Sequence, residues 1–279
     1  MTNNKVAIIT GATSGMGLVT LKALAFKGFS IVIPVRNDEK GMSIRNQIIL
    51  STNNENVFVM HCDLASLKSI AEFAETFRSR FNRLDILINN AGFWEQQRNE
   101  SSDGIELTLA VNHLAPFLLT NLLLDMLKAN NTARVINVSS MAHKGVDINF
   151  NDIEGKEKYS GFKAYSQSKL ANILFTKSLA KRIEGSGVTT NCLHPGMVKT
   201  GFFMSVKEPW RSLVHMFSIT PEKGAETIIY LATSPEPYNI NGEYFVKKKI
   251  ANSSRASKNI DTAEKLWQLS EKYVKNYLK

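Results

Sequence analysis

Short β-branched runs alternate with helical stretches along the whole chain, and this regularity limits the folds open to it more than any other feature. The runs are "KVAIIT" (5–10), "SIVIPV" (30–35), "NVFVMH" (56–61), "LDILIN" (84–89), "ARVINVS" (133–139), "VTTNCLH" (188–194) and "GEYFV" (242–246). Most are continuously apolar, which is what a strand covered on both faces requires. Between them lie amphipathic stretches such as 18–28, 66–81 and 169–185. A β-α alternation of this kind predicts an α/β fold. Its doubly wound parallel sheet has about seven strands, with right-handed crossovers placing helices on both faces. Neither a repeat nor a long linker interrupts the pattern, so residues 1–279 are expected to form one domain.

The remaining composition narrows the setting. A hydrophobic share of 43% supplies a core, and no 18-residue apolar run is present to span a membrane. The opening "MTNNKVAIITG" lacks the charged and apolar regions of a secretory signal. The two cysteines, Cys62 and Cys192, fall in expected strands, which gives no disulfide framework, no zinc spacing and an expectation of a cytoplasmic protein. His61, Cys62 and Asp63 are adjacent in an extended run and cannot all face one ion, so no metal is expected. Of the net charge of +9, residues 247–279 carry a surplus of six. These cations are spread through "VKKKIANSSRASK" and along a polar helix, so they read as a solvated basic tail and not as a nucleic-acid surface.

In a sheet of this type ligands bind beyond the carboxyl ends of the strands. The first strand ends in "TGATSGMG" (10–17). Gly11, Gly15 and Gly17 permit a tight turn and close approach of a pyrophosphate to a helix N-terminus, which points to a dinucleotide. The second strand ends in "PVRN". NAD enzymes usually carry an acid there for the ribose 2′-hydroxyl, whereas Arg36 suits a 2′-phosphate. This favours NADP(H) over NAD(H). Asp63, after the third strand, could accept from an adenine amino group or cap the next helix. The fourth strand ends in "NNAG" (89–92), where Ala91 and Gly92 allow close approach and Asn89 and Asn90 can tie loops together.

"AYSQSKL" (164–170) sets Tyr165 four residues ahead of Lys169. On a helix the two would share a face, with Cβ atoms about 5–6 Å apart. An ammonium about 4 Å from the phenol, at an effective dielectric of about 20, favours the phenolate by about 4 kcal/mol. That could lower a pKa of about 10 by up to about three units. The pair alone is equally compatible with an ordinary helix turn.

"TGATSGMG", "NNAG", "NVSS" (137–140), "YSQSK" and "HPGMVKT" (194–200) occur in order, and together they resemble the short-chain dehydrogenase/reductase family across nearly the whole chain. The resemblance implies a Rossmann-type oxidoreductase. Tyr165 would be its general acid/base, Ser140 (rather than Ser139) the holder of the substrate oxygen, Lys169 the ligand of the nicotinamide ribose, and Asn112 in "VNHLAPF" the support of a proton relay. The implied cofactor contacts are Gly11, Thr13, Ser14, Gly15, Met16 and Gly17 in the first turn, then Arg36, Asp63 and Leu64. Asn90, Ala91 and Gly92 follow, then Tyr165 and Lys169, then Pro195, Gly196, Val198 and Thr200.

Tyr165 follows Ser140 by 25 residues, a wider gap than most members have, filled by the charged "MAHKGVDINFNDIEGKEKYSGFK". This gap, the "RN" after the second strand, "SKLANILF" and "TAEKLWQLSEKYV" are similar to the retinol dehydrogenase-like branch. The branch implies NADP(H) as cofactor, with a lipophilic aldehyde or ketone and its alcohol as substrates. A homodimer or homotetramer is the expected assembly. An apolar run after Thr200, including Phe203 and Trp210, is expected to form a substrate lid over about 201–220. The rival reading is a catalytically silent nucleotide sensor or scaffold of the same fold.

Overall fold

The computed structural model describes residues 5–130, 132–198 and 218–278. Eight strands form one sheet in the order β3-β2-β1-β4-β5-β6-β7-β8. They are β1 (Val6–Ile9), β2 (Ser30–Val35), β3 (Val57–His61), β4 (Ile86–Asn89), β5 (Arg134–Val138), β6 (Thr189–His194), β7 (Tyr244–Val246) and β8 (Lys249–Ile250). The first seven are parallel and β8 pairs antiparallel with β7. Strand order reverses at β1, which lies between β2 and β4, so a crevice opens beyond the β1 and β4 ends.

The alternation within each strand explains the two layers of helices. Val6 and Ile8 join one apolar cluster, and their neighbours Ala7 and Ile9 join the other. Successive side chains on a strand point to opposite faces, so an unbroken apolar run needs cover on both. One face is covered by α1 (Gly15–Phe26), α2 (Asp38–Thr52) and α8 (Pro221–Thr233), through Leu21, Leu24, Ile44 and Ile228. The other is covered by α3 (Leu67–Arg80), α5 (Ala115–Leu122) and α7 (Gly161–Arg182), through Phe73, Phe77, Phe117 and Phe175. Each such side chain contributes about 1.5–3 kcal/mol when fully buried. Two short helices, α4 (Leu107–Leu109) and α6 (Leu124–Lys128), flank α5.

Two sequence expectations change here. The sheet has eight strands where about seven were expected, because Lys247 and Lys248 take positive φ (50° and 64°) and fold "VKKKI" into a hairpin. Nothing in that lysine run signals a left-handed turn. Nor is the basic segment a solvated tail throughout. Its helix α9 (Ile260–Val274) buries Ala263, Leu266, Trp267 and Val274, and Trp267 stacks on Phe175 of α7 at 5.8 Å. The apolar stripe of α9 was hidden by the cations on its other face. The insertion after Ser140 is likewise anchored, with Ile148 packed among Leu170, Leu174 and Leu266.

Candidate active site

The crevice at the β1/β4 switch is built by two loops that lock onto each other. The Thr10 hydroxyl accepts the N–H groups of Asn90 and Ala91, each at 3.0 Å, and Asn90 Nδ2 returns a bond to the Thr10 carbonyl at 2.9 Å. Gly11 adopts φ +66°, and a Cβ there would lie 2.9 Å from the Ala91 Cα. A Cβ on Gly17 would collide with the Gly11 carbonyl. The turn is thus closed to any side chain at these two positions. It ends at the N-terminus of α1, whose first N–H groups and positive dipole suit a pyrophosphate. Thr13, Ser14, Gly15 and Met16 complete this turn.

Arg36 is exposed at the end of β2 and makes no ion pair among the described residues. The sequence reading found no acid at this strand tip. Asp38 opens α2 two residues later, but its carboxylate lies 3.2 Å from His61 Nδ1. Asp63 Oδ1 accepts from the Ala65 N–H at 3.0 Å, and Leu64 sits within that turn. The helix-capping role considered for Asp63 belongs to Ser66, whose hydroxyl accepts from Ser69 N.

Ser140 follows β5, Tyr165 and Lys169 lie one turn apart on α7, and their side chains converge. The Ser140 hydroxyl lies near enough to the Tyr165 phenol to favour its ionised form. Ser140 Oγ accepts from Ala142 N at 3.2 Å. Lys169 is buried, donates to the Val138 carbonyl at 3.1 Å and lies 5.7 Å from the Tyr165 ring centroid. A Cβ on Gly92 would stand 3.5 Å from its Nζ, so the ammonium borders the "NNAG" loop. Ser139 points elsewhere, donating to the Lys169 carbonyl at 2.7 Å.

The electrostatics differ from the expectation of a lowered phenol. Burial pushes Tyr165 up to about 12, against a smaller opposing effect of the Ser140 hydroxyl, and burial brings Lys169 down to about 8. Desolvation penalises both charges, and the ammonium is engaged with a carbonyl instead of the phenol oxygen. The protein alone therefore holds Tyr165 as a neutral acid.

Asn112 lies in a π turn, Ala110–Leu114, within the helical stretch between β4 and β5. Its amide accepts from Phe93 N at 2.7 Å, donates to Phe93 O at 2.8 Å and donates to Ser168 Oγ at 2.9 Å. The Ser168 hydroxyl donates to the Tyr165 carbonyl at 2.7 Å. Asn112 therefore joins the loop after β4 to the helix bearing Tyr165. Ser168 was missed in the sequence, though its place between Tyr165 and Lys169 was a usable signal. After β6, Gly196 adopts φ +102° beside Pro195, and Val198 bridges to Ile219. Thr200 and nearly all of the expected lid, including Phe203 and Trp210, lie outside the described residues.

A glycine-lined turn at the strand-order switch of a mostly parallel sheet is the dinucleotide-binding arrangement of a Rossmann-like fold. The sequence profile described as short chain dehydrogenase matches residues 5–210. Mouse (Mus musculus) retinol dehydrogenase 11 is 41% identical over 95% of this chain and 85% of its own length. Human (Homo sapiens) retinol dehydrogenase 12 is 42% identical over 95% of this chain and 85% of its own length. A crystal structure of an uncharacterized protein from Mycobacterium paratuberculosis superposes with a TM-score of 0.80 at 34% identity, covering 97% of this chain and 93% of that one. The chain belongs to the short-chain dehydrogenase/reductase family, in its retinol dehydrogenase-like branch. No described helix is long and apolar enough to cross a membrane.

Proposed function

We propose that this oxidoreductase interconverts a lipophilic aldehyde or ketone and its alcohol with NADP(H), using Tyr165 as general acid/base. The observation that carries the reading is the buried Lys169 on α7, 5.7 Å from the Tyr165 ring centroid and bordering the glycine-rich cradle at Gly92. The cradle formed by Gly11, Gly17, Ala91 and the α1 N-terminus fits a dinucleotide pyrophosphate, Arg36 the 2′-phosphate, and Lys169 beside Gly92 the ribose hydroxyls. The bound nicotinamide supplies or receives the hydride at the carbonyl carbon. In reduction Tyr165 gives its hydroxyl proton to the carbonyl oxygen as the C–H bond forms, leaving a phenolate to be reprotonated from solvent. Ser140 donates to the same oxygen as negative charge develops there. In oxidation the phenolate takes the alcohol proton.

Support for a lipophilic substrate comes from three exposed apolar side chains close in sequence to the site residues. Met141 (50% exposed) follows Ser140, Phe162 (63%) precedes Tyr165 by one helical turn, and Met197 (38%) follows the β6 end. Exposed apolar side chains on the elements that carry a polar site suit an apolar ligand. The relatives named for retinol agree with that chemistry.

The test is NADPH oxidation against a series of aldehydes and ketones of rising chain length, with Tyr165→Phe as control. Turnover in the wild type, rising with chain length and lost in the variant, is the expected result. If NADPH binds and no carbonyl in the series is reduced, the silent-sensor reading replaces this one.

A further inference from the structure

The peptide that follows Ser140 is held at both of its polar atoms by histidines to which no role was assigned from the sequence. His143 Nδ1 lies 2.6 Å from the Ser140 carbonyl oxygen. His194, at the end of β6, accepts from the Met141 N–H through its own Nδ1 at 3.2 Å. These two bonds take up the C=O and the N–H of a single peptide unit, the one joining Ser140 to Met141. On its far side, His143 Nε2 accepts from the Ser254 N–H at 3.0 Å. Ser254 lies beyond β8, in a turn where the Ser257 hydroxyl donates to its carbonyl at 2.7 Å.

The chemistry of the partners determines the protonation of both rings. A carbonyl oxygen only accepts and a peptide N–H only donates. His143 must therefore carry its proton on Nδ1 and keep a lone pair on Nε2. His194 must keep its lone pair on Nδ1 and, when neutral, carry the proton on Nε2. A second proton on His143 would set an N–H against the Ser254 N–H, and one on His194 would do the same against Met141.

We infer that His143 and His194 act as a pair of neutral positioning residues. They fix the Ser140–Met141 peptide so that the Ser140 hydroxyl stays aligned with Tyr165, and His143 extends the link to the C-terminal segment at Ser254. The surroundings agree. Burial lowers both imidazoles, His194 to about 4, and Lys144 and the mutual proximity of the two rings add to the effect on His194. His143 is fully buried, with the Tyr244 ring edge-on at 5.1 Å. A rotation of that peptide would swing the Ser140 side chain, because the carbonyl and the hydroxyl leave the same residue. The site thereby depends on a residue more than 110 positions away in sequence, held by one hydrogen bond. The inference rests on the proposed role of Ser140 and Tyr165 in carbonyl reduction, and its test separates the two.

The experiment compares His143→Phe with His143→Asn, in which an amide N–H stands near the place of Nδ1. The Phe variant should lose at least tenfold in kcat while KM and the NADPH Kd stay within about twofold, and the Asn variant should recover most of that loss. His194→Asn, which retains an acceptor, should likewise exceed His194→Leu in kcat. Nitrogen-15 NMR of the full-length wild type at pH 7 should show His143 as the Nδ1–H tautomer and His194 as the Nε2–H tautomer. Amide exchange at Met141 should be slow in the wild type and faster in His194→Leu, which removes its acceptor. A folded His143→Phe with wild-type kcat, an Asn variant no better than Phe, or either ring in the other tautomer would overturn the inference. If the wild type reduces no carbonyl, the functional reading falls. The tautomers and the Met141 exchange would still decide the clamp by themselves.

Discussion

Lys169 places its ammonium 5.7 Å from the Tyr165 ring centroid and donates to the Val138 carbonyl at 3.1 Å. The pair is adjacent without being a close ion–phenol contact. Because burial governs both groups, Tyr165 stands near 12 and Lys169 near 8 before anything is bound. A neutral tyrosine is the form that gives a proton to a carbonyl, and an ammonium at that depth is poised for an added acceptor such as a ribose hydroxyl.

Tyr165→Phe should keep the ring and its packing while removing the only proton on it that can be transferred. NADPH binding, followed by fluorescence titration, should persist as turnover falls by at least about a hundredfold, the low end of what a general acid contributes. Ser140→Ala should also lose most activity. Ser139→Ala should reduce turnover far less and instead lower stability by about 1–3 kcal/mol, since it removes the donor to the Lys169 carbonyl.

Arg36→Asp should weaken NADPH binding by at least about tenfold, the equivalent of one charge-assisted bond of about 1.5–3 kcal/mol, and improve NADH relative to it. Dissociation constants of both cofactors for both proteins check this. A wild type that prefers NADH would contradict it.

Lys169→Met should abolish turnover yet raise stability. The folded value of Lys169, about 8, lies below the ordinary 10.5, so at pH 7 the fold bears the cost of holding a buried cation. That cost is fully present below pH 8 and fades as pH rises toward 10.5. At about 1.4 kcal/mol per unit it is on the order of 3 kcal/mol. Thermal melting at pH 7 should show a higher Tm for the variant, and the gain should shrink at pH 10.

His113 predicts an acid weakness in the fold. It is fully buried, with Nε2 2.7 Å from Ser270 Oγ, and burial lowers it to about 4 from 6.5. Between those values the unfolded chain takes up a proton that the folded chain refuses. Stability from this group is therefore complete above pH 6.5 and is lost as pH falls toward 4. Denaturant melts from pH 7 to 4.5 should show the decline, and His113→Gln, which does not titrate, should flatten part of it.

Phe162→Ser should lower kcat/KM for long-chain aldehydes more than for short ones. Each ligand CH₂ covered by this apolar side chain contributes about 0.8 kcal/mol, or about fourfold in kcat/KM. A chain-length series unchanged in slope would remove Phe162 from the substrate surface.

The parallel sheet, the glycine turn and the Ser–Tyr–Lys set were legible in the sequence because each depends on local pattern. Continuous apolar runs demand cover on two faces. Glycines at Gly11 and Gly17 mark places with no room for a Cβ. Tyr165 and Lys169 share a helix face by spacing alone. What the sequence could not show arises where distant segments meet. The hairpin at Lys247 and Lys248 is written in lysines that carry no turn signal, and α9 hides an apolar stripe under cations. His143 and Ser254 are joined only because the C-terminal segment crosses behind the Ser140 loop. Above all, the direction of the Tyr165 shift depends on burial and on where the Lys169 Nζ points, which are properties of the packed chain. Spacing brought the two residues together, and desolvation in the folded protein decided that the tyrosine stays protonated.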